Sequence, residues 1–127
     1  MNLPIERYPT PLPMPFSKAV RANGFLFLSG VLPMDAEGRL VDGDIELQTR
    51  VVIERIGATL AELDGALGDV VKVTVFLADL DDFAAFNAEY RRHFGASLPA
   101  RSTVGAQLYG GARIEIEAVA VVPPPRF

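Results

Sequence analysis

Apolar positions along the first half of the chain predict a hairpin followed by a helix. In KAVRANGFLFLSG, residues 18–30, two apolar stretches meet at Asn23-Gly24, a dipeptide in which both residues tolerate a positive φ. This pattern predicts two paired strands. After Asp44, a suitable N-cap, apolar residues recur near the 3.6-residue helical period until Asp64-Gly65 ends the pattern. These residues, which predict one buried helix face, are Ile45, Val52, Ile56, Leu60 and Leu63.

The next segment predicts a buried strand and a second helix. DVVKVTVFLADL, residues 69–80, is rich in β-branched residues and puts Val71, Val73, Val75 and Leu77 on one side, as expected for a central strand. Its other side would carry Val70, Lys72, Thr74 and Phe76. Asp81 or Asp82 then caps a helix with aromatic residues three or four positions apart, a spacing that favours core packing over a cofactor site. These residues are Phe83, Phe86, Tyr90 and Phe94.

Two further strands are predicted in LPARSTVGAQLYGGARIEIEAVAVV, residues 98–122. In the second of them Ile114 and Ile116 share one face, while Glu115 and Glu117 share the other. A two-residue Gly110-Gly111 turn would pair Arg101 with Ala120 and place Arg101 on the face opposite Glu115. One site that uses both side chains therefore requires an odd-length loop, a bulge or a subunit boundary.

The order β-β-α-β-α-β-β predicts an α+β fold of two layers, with two helices on one face of a mixed sheet. The 127 residues fit one domain. Residues 1–16 contain five prolines and predict an extended arm, and residues 31–44 predict a loop with a short strand around Arg39 to Val41. The second sheet face lacks a covering layer, which favours self-association. Its apolar residues would be Phe25 or Phe27, Val70, Phe76, Val119 and Val121.

Composition narrows the function classes. The net charge of −4 and the absence of a Lys/Arg run disfavour nucleic-acid binding. The absence of cysteine excludes thiolate nucleophiles and Cys-based metal sites. The N-terminal residues have no basic-then-apolar signal, and no apolar run approaches roughly 18 residues, so we expect a cytoplasmic protein with no membrane partner.

The sequence offers few candidates for catalysis, metal binding or phosphate binding. His93 is the only histidine, and a helix-surface role is favoured over catalysis. Asp79, Asp81 and Asp82 lie at a strand-to-helix junction, where capping is favoured over metal binding. No phosphate-binding glycine motif occurs, since Gly110-Gly111 suits a turn. We therefore expect neither a metal nor a cofactor.

Arg101 and the two glutamates are the charged residues that need an explanation. Arg101 opens a strand, where it either makes a surface ion pair or binds a carboxylate through two parallel hydrogen bonds. From its position alone the two interpretations are equally good. Glu115 and Glu117 lie on a face that turns apolar at Val119, and a carboxylate beside apolar neighbours can have a pKa raised toward the range of a general base.

The chain resembles the RidA/YjgF family of reactive-intermediate deaminases. The C-terminal segment LPARSTVGAQLYGGARIEIEAVAV resembles the family signature, and FLFLSGVLP and GDVVKVTVFLADLDDFAAFNAEY match elsewhere, so that the similarity runs from about residue 15 to residue 122. This resemblance implies a chorismate-mutase-like fold and a homotrimer with clefts between subunits. It also implies hydrolysis of 2-imino or enamine acids, of the 2-aminoacrylate or 2-iminobutanoate type, to 2-keto acids and ammonia.

The resemblance also implies roles for particular residues. Arg101 corresponds to the arginine that holds the substrate carboxylate, and Glu115 to the glutamate that orients or activates water, which leaves Glu117 a structural role. Further cleft positions correspond to Ser29, Gly30 and the backbone of Thr103, with Asn87 contributed from an adjacent subunit. Asn87 is equally well read as a helix-surface amide.

Several positions depart from the family pattern. Phe16 replaces a tyrosine, Val31 a glutamine, Thr103 a cysteine and Gly105 an acidic residue, so the cleft is more apolar. Substrate preference would then shift toward bulkier side chains, or the rate would be low. These departures keep a second hypothesis open, a non-catalytic trimeric protein that binds keto acids. A ribonuclease activity, reported for some relatives, fits the acidic charge and lone histidine poorly.

Overall fold

A single mixed sheet of six strands forms one layer of the protein, and two helices form the other. The computed structural model describes residues 4–123. The strands are β1 (Ile5–Pro9), β2 (Ser17–Ala22), β3 (Phe25–Val31), β4 (Val70–Leu77), β5 (Ala100–Gly105) and β6 (Ile114–Val121), and the helices are α1 (Ile45–Glu62) and α2 (Phe83–Phe94). The strand order is β1-β2-β3-β6-β4-β5, and only the β4–β5 pair is parallel. The predicted α+β fold class is confirmed.

Local signals in the sequence begin and end these elements as predicted. Asn23 and Gly24 have φ values of 53° and 81°, the conformation of the tight turn that joins β2 to β3. The Asp44 carboxylate accepts a hydrogen bond of 2.9 Å from the backbone N–H of Leu47 and caps α1. Asp64, with φ 67°, lies just beyond the end of that helix.

The core lies between the helices and one face of the sheet. The predicted apolar positions of α1 are buried or nearly so, and Phe86, Tyr90 and Phe94 of α2 pack in the same cluster. On β6, Ile114 and Ile116 face this core and are fully buried, as the alternation of the sequence predicted. Both helices therefore cover the same face.

Residues 5–9 of the predicted extended arm pair with β2 as an edge strand, a place in a sheet that tolerates proline. Two sequence predictions about strands are wrong. β5 and β6 are not a hairpin, because β4 lies between them and pairs with both. The short strand around Arg39 to Val41 is reduced to a single bridge between Met34 and Leu40.

The assignment of Val70 and Val71 to sheet faces is also wrong. A register shift between Val70 and Lys72 turns Val70 into the core, where it is 4% exposed, and leaves Val71 44% exposed. The extra residue of a bulge reverses the alternation on one side of it. Sequence alternation alone could not locate that bulge.

The second face of the sheet carries exposed apolar side chains. Phe25 and Phe27 lie with ring centroids 6.2 Å apart. Phe27, Val104 and Val121 are 46%, 43% and 42% exposed. The prediction of an apolar face without a covering layer is thus correct within residues 4–123. In that part of the chain no helix combines the length and apolar character that a membrane crossing needs.

Candidate active site

Arg101 lies on the edge strand β5 with its guanidinium over aromatic rings of α2. In the sheet it pairs with Val73, whose side chain is buried in the core, so Arg101 points to the helix side. The guanidinium carbon is 5.6 Å, 5.1 Å and 5.0 Å from the ring centroids of Phe83, Phe86 and Tyr90. Cation–π contacts of this kind fix the orientation of a guanidinium plane. Among residues 4–123, Arg101 makes no salt bridge.

A cavity of about 320 Å³ lies next to this arginine. Its lining consists of Asn87, Tyr90, Arg91, Leu98, Pro99 and Arg101. Asn87 is therefore beside Arg101 in the same chain, whereas the family resemblance implied a contribution from an adjacent subunit. A fixed guanidinium, an amide and a shallow apolar wall suit the binding of a small carboxylate.

Two hydroxyl groups near Arg101 are buried without a hydrogen-bond partner among the described residues. They belong to Tyr90 and to Thr103, which follows Arg101 by two positions on β5. Burial raises the pKa of Tyr90, and the positive charge of Arg101 partly opposes this rise. The sequence pattern predicts Tyr90 only as a core residue. Its spacing from Phe83 and Phe86 carried a further signal, because three rings on one helix face can hold a cation from a neighbouring strand.

Glu115 lies on the open face of the sheet, against a bulge in β3. It pairs with Phe76 of β4, and the register between β3 and β6 shifts between Leu28 and Val31. A Cβ atom added to Gly30 would lie 2.5 Å from Oε2 of Glu115, so the carboxylate rests directly over Gly30. Burial, and then the negative charge of Glu117, raise the pKa of Glu115 above its usual value of 4.5. A carboxylate with a raised pKa is suited to exchange a proton with water.

The remaining predicted site residues surround a larger cavity beside this bulge. Phe16, Ser29, Gly30 and Val31 all line it, and its volume is about 760 Å³. The Ser29 hydroxyl donates a 2.6 Å hydrogen bond to the Ser17 carbonyl, so its proton is already used. The phenyl ring of Phe16 is 46% exposed. Gly105 lies apart from this cavity, on β5, where an added Cβ would meet Leu80 at 3.4 Å.

The structure thus divides the predicted residues into two groups. One group lies on the helix side of the sheet and consists of Arg101 and Thr103 on β5 and Asn87 on α2. The other group lies on β6 and β3, where Glu115 is on the open face beside the Ser29-Gly30 bulge. The prediction that Arg101 and Glu115 occupy opposite faces is correct, although the hairpin from which it came does not exist. Neither an odd-length loop nor the bulge in β3 brings them together within one chain.

His93 and Asp79, the other candidates from the sequence, each contact a group of the same chain. His93 Nε2 lies 2.7 Å from a carboxylate oxygen of Glu89, which is itself buried. The Asp79 carboxylate accepts a 2.9 Å hydrogen bond from the backbone N–H of Asp81 and so caps a short turn before α2. Residues 4–123 contain no cluster of three or more His, Cys, Asp or Glu side chains placed to hold a metal ion.

Comparison with known proteins agrees with the resemblance seen in the sequence. The family profile described as endoribonuclease L-PSP matches residues 9–122. A RutC family protein of Pyrococcus abyssi is 47% identical over 117 residues, which are 91% of each chain. A goat protein named 2-iminobutanoate/2-iminopropanoate deaminase is 41% identical over 112 residues, covering 87% of this chain and 82% of its own.

Solved structures share the fold over nearly the full length. Yeast Mmf1 superposes with a TM-score of 0.89 at 35% identity and covers 94% of this chain and 99% of its own. Escherichia coli TdcF with bound serine superposes with a TM-score of 0.81 at 32% identity, covering 91% and 93% of the two chains. The chain belongs to the RidA/YjgF family, whose sequence profile carries the description endoribonuclease L-PSP.

Proposed function

We propose that the protein hydrolyses reactive 2-imino acids and their enamine tautomers, of the 2-aminoacrylate or 2-iminobutanoate type, to 2-keto acids and ammonia without a metal or cofactor. The observation that supports this most directly is Arg101. Its guanidinium is fixed by three aromatic rings and makes no salt bridge within residues 4–123, so its hydrogen-bonding edge is free for a substrate carboxylate. The name of the goat relative agrees with this chemistry.

The proposed site lies between chains of a homotrimer. Because Arg101 and Glu115 occupy opposite faces of one sheet, a single chain offers them to different surfaces. Arg101 with Asn87 and Thr103 from one chain would face Glu115, Phe16 and the 29–31 segment of its neighbour. The exposed phenyl rings of Phe25 and Phe27 on the open sheet face supply apolar surface for this association.

In the proposed mechanism, Arg101 binds the carboxylate of the imino acid through two parallel hydrogen bonds. Glu115 accepts a proton from a water molecule, and the water oxygen forms a bond to C2 as the C=N bond becomes single. The proton held by Glu115 then passes to the nitrogen and completes the neutral carbinolamine. Glu115 next takes the proton of the C2 hydroxyl and delivers it to the same nitrogen, so that the C–N bond breaks, ammonia leaves and the 2-keto acid remains. Each group acts by position and charge, which suffices for a substrate that also hydrolyses without help.

The surrounding residues orient the substrate. The Ser29 hydroxyl donates to the Ser17 carbonyl, so Ser29 and Gly30 act through their backbone groups. Phe16 and Val31 present an apolar wall, and Phe16 offers no hydroxyl donor. This wall favours a substrate whose side chain is apolar. The homotrimer and a cytoplasmic location are part of this proposal.

The deaminase proposal is tested with imines generated in solution. A serine or threonine dehydratase supplies 2-aminoacrylate or 2-iminobutanoate, and the release of keto acid and ammonia is followed with and without the protein. Wild type is expected to exceed the spontaneous rate, whereas Arg101→Ala and Glu115→Ala are expected to add nothing, with the exposed Arg92→Ala as control. If wild type adds nothing for several imino acids while keto acids still bind, the protein is the non-catalytic binding protein instead.

A further inference from the structure

The large cavity beside β3 extends well past the proposed substrate residues. It lies between the arm of residues 10–16, the segment after β3 and the outer part of α1, and its volume of about 760 Å³ suits a whole small molecule. Much of its wall is apolar. The apolar contributors outside the strands include Leu12, Met14, Leu32, Met34 and Ala58.

Arg55 is a charged side chain in the wall of this cavity. It projects from α1 into the cavity and is half-buried, and one of its amino groups, Nη1, donates a 2.6 Å hydrogen bond to the Leu32 carbonyl. A guanidinium has five N–H donors, so most of them are left for another acceptor. Arg55 takes part in no salt bridge within residues 4–123.

The other charged side chains at the cavity have partners within the chain. Lys18 forms a salt bridge of 2.5 Å with Glu62. The Asp35 carboxylate accepts hydrogen bonds from the backbone N–H groups of Glu37 and Arg39. Among the described residues of the wall, Arg55 is therefore the charged side chain that lacks a partner of opposite charge. A half-buried cation in an apolar wall is stabilised most by an anionic ligand that also has an apolar part.

We propose that this cavity is a second ligand site, which binds an amphipathic carboxylate of medium chain length. Its carboxylate lies against the guanidinium of Arg55, and its hydrocarbon chain lies along Leu12, Met14 and Ala58. A planar fork of N–H donors matches a carboxylate better than an ammonium does, which explains an arginine here. Burial of each added methylene is worth about a fourfold gain in affinity, so the binding constant rises along a chain-length series.

This site goes beyond the proposed deaminase reaction, because it uses neither Arg101 nor Glu115. The two sites share part of their lining, since Phe16, Ser29, Gly30 and Val31 line the same cavity. Direct binding measurements without any imine, made on variants of Arg55 and of Arg101, therefore separate the two proposals.

Isothermal titration calorimetry with octanoate on the full chain tests the site. Wild type is expected to bind octanoate, and decanoate more tightly than hexanoate, whereas octanamide, which has the same chain and no charge, binds at least tenfold more weakly. Arg55→Gln is expected to raise the octanoate dissociation constant about tenfold or more. Arg50→Gln, which alters an exposed arginine of the same helix, leaves the constant unchanged.

A second variant tests the cavity itself. Ala58→Trp fills the space beside α1 and is expected to abolish octanoate binding while the circular dichroism spectrum stays that of wild type. The proposal is overturned if wild type does not bind octanoate or if Arg55→Gln binds it as wild type does. It is also overturned if Arg101→Ala abolishes binding while Arg55→Gln retains it, since the carboxylate would then occupy the proposed substrate site.

Discussion

The carboxylate of Glu115 occupies the space that a side chain at Gly30 would need, with 2.5 Å between Oε2 of Glu115 and a Cβ added to Gly30. Gly30 lies in the bulge of β3, and its φ is not in the left-handed region, so the contact, and not backbone strain, requires glycine there. This packing defines where the proposed water-activating group lies.

Gly30→Ala is expected to displace Glu115 and to lower the rate of imine hydrolysis about a hundredfold, because misplacement of a catalytic group by about 1 Å has effects of that size. The rate is measured with dehydratase-generated imine. Gly57→Ala is the matched control, since a Cβ there meets only Leu67 at 3.8 Å and alanine favours the helix. Unchanged activity in Gly30→Ala would mean that the position of Glu115 is irrelevant.

Arg101→Lys is expected to raise KM about ten- to hundredfold although the charge is kept. Lysine lacks the planar fork that binds a carboxylate bidentately and stacks on the three rings of α2. Steady-state kinetics on the same substrate give the value, with Arg92→Lys as control because the Arg92 side chain is 77% exposed. A lysine variant with wild-type KM would rule out bidentate binding.

The pH dependence of hydrolysis is expected to respond to Glu117. The pKa of Glu115 is raised by burial and by the negative charge of Glu117, and Glu115 must be ionised to accept a proton. The rate therefore falls on the acid side at a pH above the usual carboxyl value of 4.5, and Glu117→Gln moves that fall to lower pH. The test compares rate–pH profiles with those of Glu54→Gln, an exposed helix residue. If the acid-side fall of the rate lies at the same pH in Glu117→Gln and in wild type, the assignment of Glu115 as the base is contradicted.

Glu115→Gln is expected to abolish hydrolysis and yet to stabilise the protein at pH 7. Because the pKa of Glu115 is higher in the folded than in the unfolded state, protonated Glu115 favours folding, and this contribution is lost as pH rises through the folded-state pKa. Glutamine has no charge to lose. Thermal unfolding should show a higher Tm for the variant at pH 7 and equal values near pH 3, and a lower Tm at pH 7 would refute the sign of the shift.

Phe27→Asp is expected to dissociate the proposed trimer and to remove hydrolysis together with it. Phe27 is 46% exposed on the open sheet face, and an ionised carboxylate there cannot be buried without a partner. Light scattering after size exclusion gives the mass, and Ala61→Asp on the exposed surface of α1 is the control. A wild-type protein of monomeric mass would remove the intersubunit site altogether.

Prediction from the sequence worked where a signal is local and failed where a distant strand decides. The Asp44 cap, the Asn23-Gly24 turn and the alternation of β6 depend on neighbouring residues, and all three are as predicted. The supposed hairpin of β5 and β6 is wrong, because nothing in its own segment indicates that β4 inserts between them. For the same reason the sequence does not predict the bulge at Val71.

The sequence by itself determined the fold class, the core-facing side of β6 and the family, since these follow from periodicity and from motifs spread over the chain. Only the tertiary structure decided that Arg101 stacks on three rings of α2, that Glu115 rests on Gly30, and that the two lie on opposite faces. It also brought Arg55 to an apolar cavity formed with the arm. The physical reason is that sheet order and register arise from contacts between segments far apart in the chain, and these contacts fix which side chains meet.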